Sequence, residues 1–469
     1  MESLINTYSA KTVWMMALNA SWGSFIFGYN IGVMSALEGC LAAYFDWGSN
    51  EDFYFNLFMP AMHLGATFGA LFAGSISERV GRRRALIVHD IVILVGCALV
   101  ALPYLPFYPI GRFICGYGAG GFASVVPNYL REITPAEVYG RVGALVQLQV
   151  TLGIAVSYGW ALALPTSDYG SNPMTNFWVF IYLFQGLLAL MQMLFFLSLY
   201  KNESPVWLMM KGYQEDALVA LQEIYVGEEA GAVLKRIEAD VAPASIKMSE
   251  STSSLLVEPS YKELLCCKSG TGKMMRMGIL VNIFQQTIGI NAILGYAAVI
   301  FESLGASVFI SRLLTFVAGL VNMLSSLLIF PLVGRFGRKT LMIVGNSGIV
   351  LCMIGVAIFS QFAAEVTHIP SIILILIYLV YFEIGIGPLC WVFCGDFLNS
   401  EAISICAAVN WLANFATVVA FPYLVQALGY PLTFGVYGVI ATLSVLYFVL
   451  DLIETKGLTS AQINKLIRK

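Results

Sequence analysis

The sequence predicts an all-α membrane protein: twelve transmembrane helices in two six-helix bundles, with a short cytoplasmic helical segment between them. Three observations carry this. Of 469 residues, 59% are hydrophobic and only 11% charged, with a mean hydropathy of +0.80, whereas a soluble chain of this length is about one quarter charged. Apolar runs long enough to cross a ~30 Å hydrocarbon core at ~1.5 Å per residue fall near 13–35, 56–76, 86–106, 109–129, 141–164, 175–199, 277–301, 308–332, 341–363, 371–394, 403–428 and 430–452. The long polar segment, about 200–275, divides these runs six and six.

The first run continues without a small-residue cleavage site, so it reads as a span and not as a signal peptide, and it contains "FGYNIG" (Phe27 to Gly32). The loop at 36–55 carries Glu38, Asp46, Glu51 and Asp52 and neither Lys nor Arg. The second run closes on "ERVGRRR" (Glu78 to Arg84). In the third lie His89 and Asp90; an intramembrane carboxylate is a functional suspect by default, but about one turn from the cytoplasmic edge, snorkelling or a salt bridge is the expected state. The fourth begins "GRFICGYGAGG" (Gly111 to Gly121) and runs into "VPNYLRE", the fifth reads "VQLQVTLGI", and the sixth ends at "NESP" (Asn202 to Pro205).

The polar segment then reads as short amphipathic helices followed by a Ser-rich linker, "SIKMSESTSS". "SGTGK" (Ser269 to Lys273) lacks the G-x-x-x-x-G-K spacing of a phosphate loop and follows no strand. The pair Cys266 and Cys267 reads as a plain pair beside a span, with palmitoylation as the alternative. The seventh run holds "QQTIGIN", the eighth is followed by "GRFGRK" (Gly334 to Lys339), the tenth holds "FEIGIGPLCW", the eleventh "NWLANF", and the twelfth ends at "IETKG" (Ile453 to Gly457). Matching motifs at matching places predict parallel repeats with a central site between them. The expected units are a first bundle at 1–200, a linker at 201–275, a second bundle at 276–453 and a tail at 454–469.

If both termini are cytoplasmic, all of the 25 Lys and Arg except Arg112 and Arg312 fall on the cytoplasmic side, as retention of positive charge there requires. No basic stripe with aromatic interleaving points to nucleic acid. The nine cysteines lie mostly in spans and fit no disulfide framework. No catalytic residue, metal or cofactor is expected.

The polar residues inside the spans carry the chemistry. An unpartnered amide in hydrocarbon costs about 2–7 kcal/mol, so Gln285, Gln286 and Asn291 in one greasy run must bind each other or a guest. With Asn322, Asn410 and Asn414 they are uncharged groups that each donate and accept, as a neutral polyol needs, and Trp391 and Trp411 offer flat apolar faces for a sugar ring. Asn291 follows Gln286 by about 140° of helix, so the two converge only if Gly289 breaks the helix. Gly385, Gly387 and Pro388 likewise weaken the tenth span beside Glu383 and Trp391, and broken helices at mid-membrane form transporter sites. For any one amide alone, a helix-to-helix hydrogen bond is the plainer explanation.

In this order, the quoted motifs resemble the sugar porter family of the major facilitator superfamily, and more narrowly its facilitative glucose transporters, over nearly the whole chain. The resemblance implies that Gln285, Gln286, Asn291, Asn322, Glu383, Trp391 and Asn410 hold the sugar. In the fifth span the family usually presents a glutamine where Thr151 stands; Gln147, on the same face at i, i+4, is the substitute expected here. Asn30, Arg112, Gly289, Tyr296, Gly385, Gly387, Pro388 and Trp411 are the expected moving parts. Proton-coupled members usually carry an aspartate in the first-span motif near an arginine of the fourth. Here that place is Asn30, which does not titrate, so facilitated diffusion is expected, with Arg112 hydrogen-bonded and not ion-paired.

The cytoplasmic charges Glu78, Arg79, Arg82, Arg83, Glu132, Arg141, Glu203, Arg335, Arg338 and Glu454 are expected to form salt bridges between the bundles, each worth about 0–1 kcal/mol. Gly334, Val206 and a tenth-to-eleventh loop without a basic residue depart from the family, so Asp396 is expected to lack its usual loop arginine and the second half to latch loosely. The alternatives are a proton symporter using Asp90 or Glu383, a polyol transporter, and a sugar sensor that does not transport. A sensor is expected to carry a long tail, and little follows Glu454. The expected partners are a neutral sugar, glucose or another hexose, and membrane lipid, with the chain acting as a monomer in the plasma membrane.

Overall fold

The computed structural model describes residues 7–246, 272–361, 369–458, 462, 463 and 466, apart from 36, 168, 170 and 399. The Ser-rich linker, most of "SGTGK" and the pair Cys266 and Cys267 lie outside the described residues. In the first half the spans are α1 (Ala10–Gly32), α4 (Ala61–Val80), α5 (Arg82–Val100), α6 (Phe107–Ile133), α7 (Ala136–Ala161) and α8 (Phe177–Ser198), with α2 (Glu38–Phe45) and α3 (Glu51–Phe58) lying between α1 and α4. The connecting segment holds α9 (Pro205–Met210), α10 (Gln214–Ile224) and α11 (Glu229–Ile246).

In the second half the seventh span is broken into α12 (Gly272–Thr287), α13 (Ile290–Gly295) and α14 (Ala297–Ser303), and the eighth into α15 (Val308–Ser326) and α16 (Ile329–Phe336). Then come α17 (Arg338–Gln361), the tenth span as α18 (Ile369–Ile384) and α19 (Ile386–Phe397), and α20 (Ser400–Leu450). The last holds two spans joined at Gly429, whose φ of 74° and ψ of 166° are not helical. Eight helical stretches among the described residues are long and apolar enough to cross a membrane, that double one included; α1, α5 and α6 complete the twelve spans.

Lipid offers no hydrophobic drive between helices, so close packing of small residues must hold them. Gly65 and Gly69 of α4 face the backbone carbonyls of Phe113 and Tyr117 in α6, while Gly116 and Gly120 of α6 face those of Met62 and Ala66. A Cβ at any of the four would fall 1.9–2.2 Å from the facing oxygen. In the connecting segment, by contrast, Trp207, Leu208, Ala217, Ala220 and Leu221 form a small apolar core, and the chain start docks on it through Ser9 N–H to Ile224 O (2.8 Å) and Val226 N–H to Thr7 O (3.0 Å). The halves meet where α7 packs on α15 and α4 on α20.

Candidate functional site

At Gly289, with φ of 92°, α12 stops and α13 begins. A side chain built there would press on the Tyr437 ring at 3.1 Å. The break turns Asn291 back so that its Nδ2 donates to Gln286 Oε1 (2.8 Å). Gln286 Nε2 donates to Asn410 Oδ1 (2.9 Å) and Gln285 Oε1 (3.1 Å), and Asn410 Nδ2 to Gln285 Oε1 (2.5 Å) and Asn282 O (3.2 Å). Gln285 Nε2 reaches Gly387 O (2.7 Å), just past the second break, where α18 ends and α19 begins around Gly385. The kink at Gly385 packs on Gly345 of α17, and Pro388 gives the following turn no N–H. Four amides thus form one bonded cluster held by two helix breaks. Because every member is a neutral donor and acceptor, a ligand hydroxyl can exchange with any of these bonds at little net cost.

From the other half, Gln147 Nε2 donates to both carboxylate oxygens of Glu383 (3.3 and 3.1 Å). One turn further along α7, Thr151 Oγ1 meets Ser326 Oγ (3.4 Å), and Asn322 is buried one turn before Ser326 with its Oδ1 unpartnered among the described residues. Trp411 is buried against Phe27 of the first half, ring centroids 5.2 Å apart. Trp391 differs. It is 38% exposed, on the α19 face with Val392 and Gly395, and stands outside the bonded cluster.

At the end away from the arginine motifs the seam is sealed. Tyr158 OH donates to Leu294 O (2.6 Å), Tyr296 OH to Asn56 Oδ1 (3.3 Å), and Ala298 N–H to Ser35 Oγ (3.4 Å). Arg312 donates to Leu164 O (2.8 Å), Pro165 O (2.9 Å) and Tyr169 OH (3.2 Å).

The basic end corrects the expectation of salt bridges between the bundles. Arg82 Nε pairs with Glu132 at 3.0 Å inside the first half, and Arg338 Nε with Asp396 at 3.2 Å inside the second. Glu203 accepts the backbone N–H of Arg83 (2.7 Å) and Arg84 (3.2 Å), and Glu454 those of Arg338 (2.9 Å) and Lys339 (3.1 Å). Each carboxylate therefore caps the start of the helix that follows an arginine turn, where N–H groups lack helical partners and the helix dipole is positive. Glu78, Arg79, Arg141 and Arg335 are exposed and form no ion pair among the described residues. Asp396, expected to lack its usual loop arginine, takes Arg338 from the motif after the eighth span and also Thr455 Oγ1 (2.5 Å), so the second half is latched like the first.

Arg112 is fully buried in α6. Its Nη1 donates to Asn30 O (3.3 Å), and it lies 5.9 Å from the Tyr182 ring centroid. Asn30 Nδ2 donates to Ile26 O (3.1 Å) and, through a short contact, to Gln185 Oε1. Sequence reasoning missed Gln185, although a glutamine within a greasy sixth span is as anomalous as Gln285. Asp90 neither snorkels nor pairs: it is fully buried with both oxygens unpartnered among the described residues.

A family model described as sugar (and other) transporter matches residues 16–467. A glucose transport protein of Synechocystis sp. is 28% identical over 476 residues, covering 97% of this chain and 98% of that protein. A D-xylose-proton symporter of Escherichia coli K12 is 28% identical over 497 residues, covering 98% and 96%. Among solved structures, the proton:xylose symporter XylE bound to 6-bromo-6-deoxy-D-glucose aligns with a TM-score of 0.80 at 25% identity, covering 98% of this chain and all of that one.

Proposed function

The chain belongs to the sugar (and other) transporter family, multi-pass membrane transporters and not enzymes, and from that premise we propose that it is a facilitative hexose uniporter of the glucose type working by alternating access. The observation that carries this is the cluster of Gln285, Gln286, Asn291 and Asn410, neutral throughout and seated beside the seam where Gln147 meets Glu383. A hexose hydroxyl matches each of these amides. Asn322 and Trp391 complete the sugar's surroundings when the halves move. The bodies that move are 1–200 and 276–453, with 201–275 as the cytoplasmic connector and 454–469 as a tail. The arginine motifs then lie in the cytoplasm with both termini, the membrane is the plasma membrane, and the monomer is the working unit.

Uniport is supported by the surroundings of Arg112. Two amides, Asn30 and Gln185, stand where a titratable acid would be needed to couple its charge to a proton. The rival reading is proton symport, as in the xylose relative, and Asp90 favours it, being a buried carboxylate without a described partner. Uptake of radiolabelled glucose into proteoliposomes, with and without an imposed proton gradient, separates the two. A uniporter equilibrates the sugar in both cases; accumulation above the external level that collapses with a protonophore overturns uniport. Gln286→Ala with Asn291→Ala should bring uptake to background while insertion is unchanged, and unaltered uptake would place the sugar elsewhere. Competition by xylose and inositol against glucose fixes the substrate class.

A further inference from the structure

Among the described residues no carboxylate pairs with Arg112. Its Nε and Nη2 have no partner among the described residues, and the ion pairs found there all lie elsewhere. His63, Tyr108 and Tyr182 lie close enough to feel the guanidinium, and none of them is a carboxylate. A lone cation at such depth is among the least favourable arrangements a membrane protein can hold, and buried charges are ordinarily paired. Asn30 Nδ2 donates to Ile26 O and Gln185 Oε1, while Asn30 Oδ1 has no partner among the described residues. Gln185 Nε2, beside the Cys97 thiol, has no partner in hydrogen-bonding geometry.

We infer that this nest binds a small monovalent anion of the chloride class, held as the counter-ion of Arg112 by its Nε–H and Nη2–H with help from the Gln185 amide. Water could satisfy these N–H groups but would leave the charge unbalanced. The site is enclosed by aromatic rings: the Tyr108 and Tyr182 hydroxyls bond at 2.6 Å, and Phe45, Phe58 and Trp178 pack on Tyr108 with centroids 5.8, 5.6 and 5.9 Å away. All these residues belong to the first half, away from the amide cluster. The anion is therefore a resident of one bundle and not the cargo, and the inference stands whether the cargo is a hexose or a polyol.

The test uses the purified full-length protein in detergent, with chloride or gluconate at equal ionic strength. Chloride should raise the melting temperature saturably, by about 2 °C or more, and radiolabelled chloride should bind at about one per chain. Gln185→Glu and Asn30→Asp each give Arg112 a carboxylate of its own, so both should abolish the melting shift and the bound chloride. Gln185→Met, which adds no charge, should keep chloride binding, weakened. Equal melting in both salts with no bound chloride in the wild-type protein overturns the site, whatever the variants do. Chloride binding that persists in both acid variants moves it away from Arg112.

Discussion

At the end remote from the arginine motifs, Tyr158, Tyr296, Ser35 and Arg312 bond across the seam; at the basic end, Arg82, Arg338, Glu203 and Glu454 bond, among the described residues, within their own halves. The contrast assigns different work to the two ends. The basic clusters stiffen each half as a body, since every one ties the start of a helix to a carboxylate on the same half or just beyond its last span. The sealed end holds the bodies together through bonds that are mostly neutral, each worth about 0.5–1.5 kcal/mol net, or about 1.5–3 where a charge takes part. A seam of that strength can open and reclose, as the proposed alternating access demands.

The largest expected effect comes from Arg312, the charged residue whose hydrogen bonds cross the seal. Arg312→Ala removes three cross-seam bonds, which should move the balance toward the open seam by about 3 kcal/mol, roughly a hundredfold. Cys40 is buried in α2, near enough to Arg312 to feel its charge. With the other cysteines replaced, labelling of Cys40 by an impermeant maleimide should accelerate to match. Unchanged labelling would mean that the seal does not depend on Arg312.

A smaller effect is expected at the basic end, and it sharpens the contrast. Gly81 and Gly337 have φ of 103° and 84°, and a Cβ on either would fall 2.3 or 2.5 Å from the oxygen of its capping carboxylate, Glu203 or Glu454. The two clusters are copies. Glu203→Gln and Glu454→Gln should therefore each cost about 1–2 kcal/mol of stability, seen as similar drops in melting temperature, with Cys40 labelling unaltered. Very unequal drops would break the equivalence of the two halves.

These pairings also mark what was legible in the sequence. The spans follow from hydropathy, and the breaks at Gly289 and Gly385 from glycine and proline beside amides that an unbroken helix would aim apart. The matching of "ERVGRRR" with "GRFGRK", and of "NESP" with "IETKG", follows from their place in each half. Partners were not legible: Gln147 and Glu383 are 236 residues apart, and no local pattern states which of several acids an arginine will meet. The mechanical reading of the charges placed the arginines across the seam because it presumed a state with that end closed, and Arg338 was not foreseen as the partner of Asp396 because only the neighbouring loop was searched for a base. Gln185 was overlooked for another reason: no motif contained it, although burying an amide in lipid-spanning helix is signal enough.

The smallest effect concerns pH at the sealed end. Glu38, on α2 outside the spans, is half-buried, and that burial, followed by the charges of Glu51, Asp52 and Glu302, pushes its carboxyl up to about 8 from an ordinary 4.5. Glu302 comes from the other half, where its Oε1 accepts from Ser311 Oγ (2.9 Å), so opening the seam removes it and lets water reach Glu38. The closed seam then holds a proton that the open one releases. Its preference is fully present below the ordinary value and is lost as pH rises through about 8. Measured relative to a free thiol at the same pH, so that thiolate formation cancels, Cys40 labelling should speed up as the external pH is raised from about 6 to about 9, by less than in Arg312→Ala, because water and salt reach a half-buried group. Glu38→Gln should flatten the profile while leaving the closed seam intact at low pH. A profile that keeps its slope in Glu38→Gln would assign the proton to Glu51 instead, whose carboxyl is also raised by burial and by Asp52, and a profile rising toward acid would reverse the sign and remove these carboxylates from the seal.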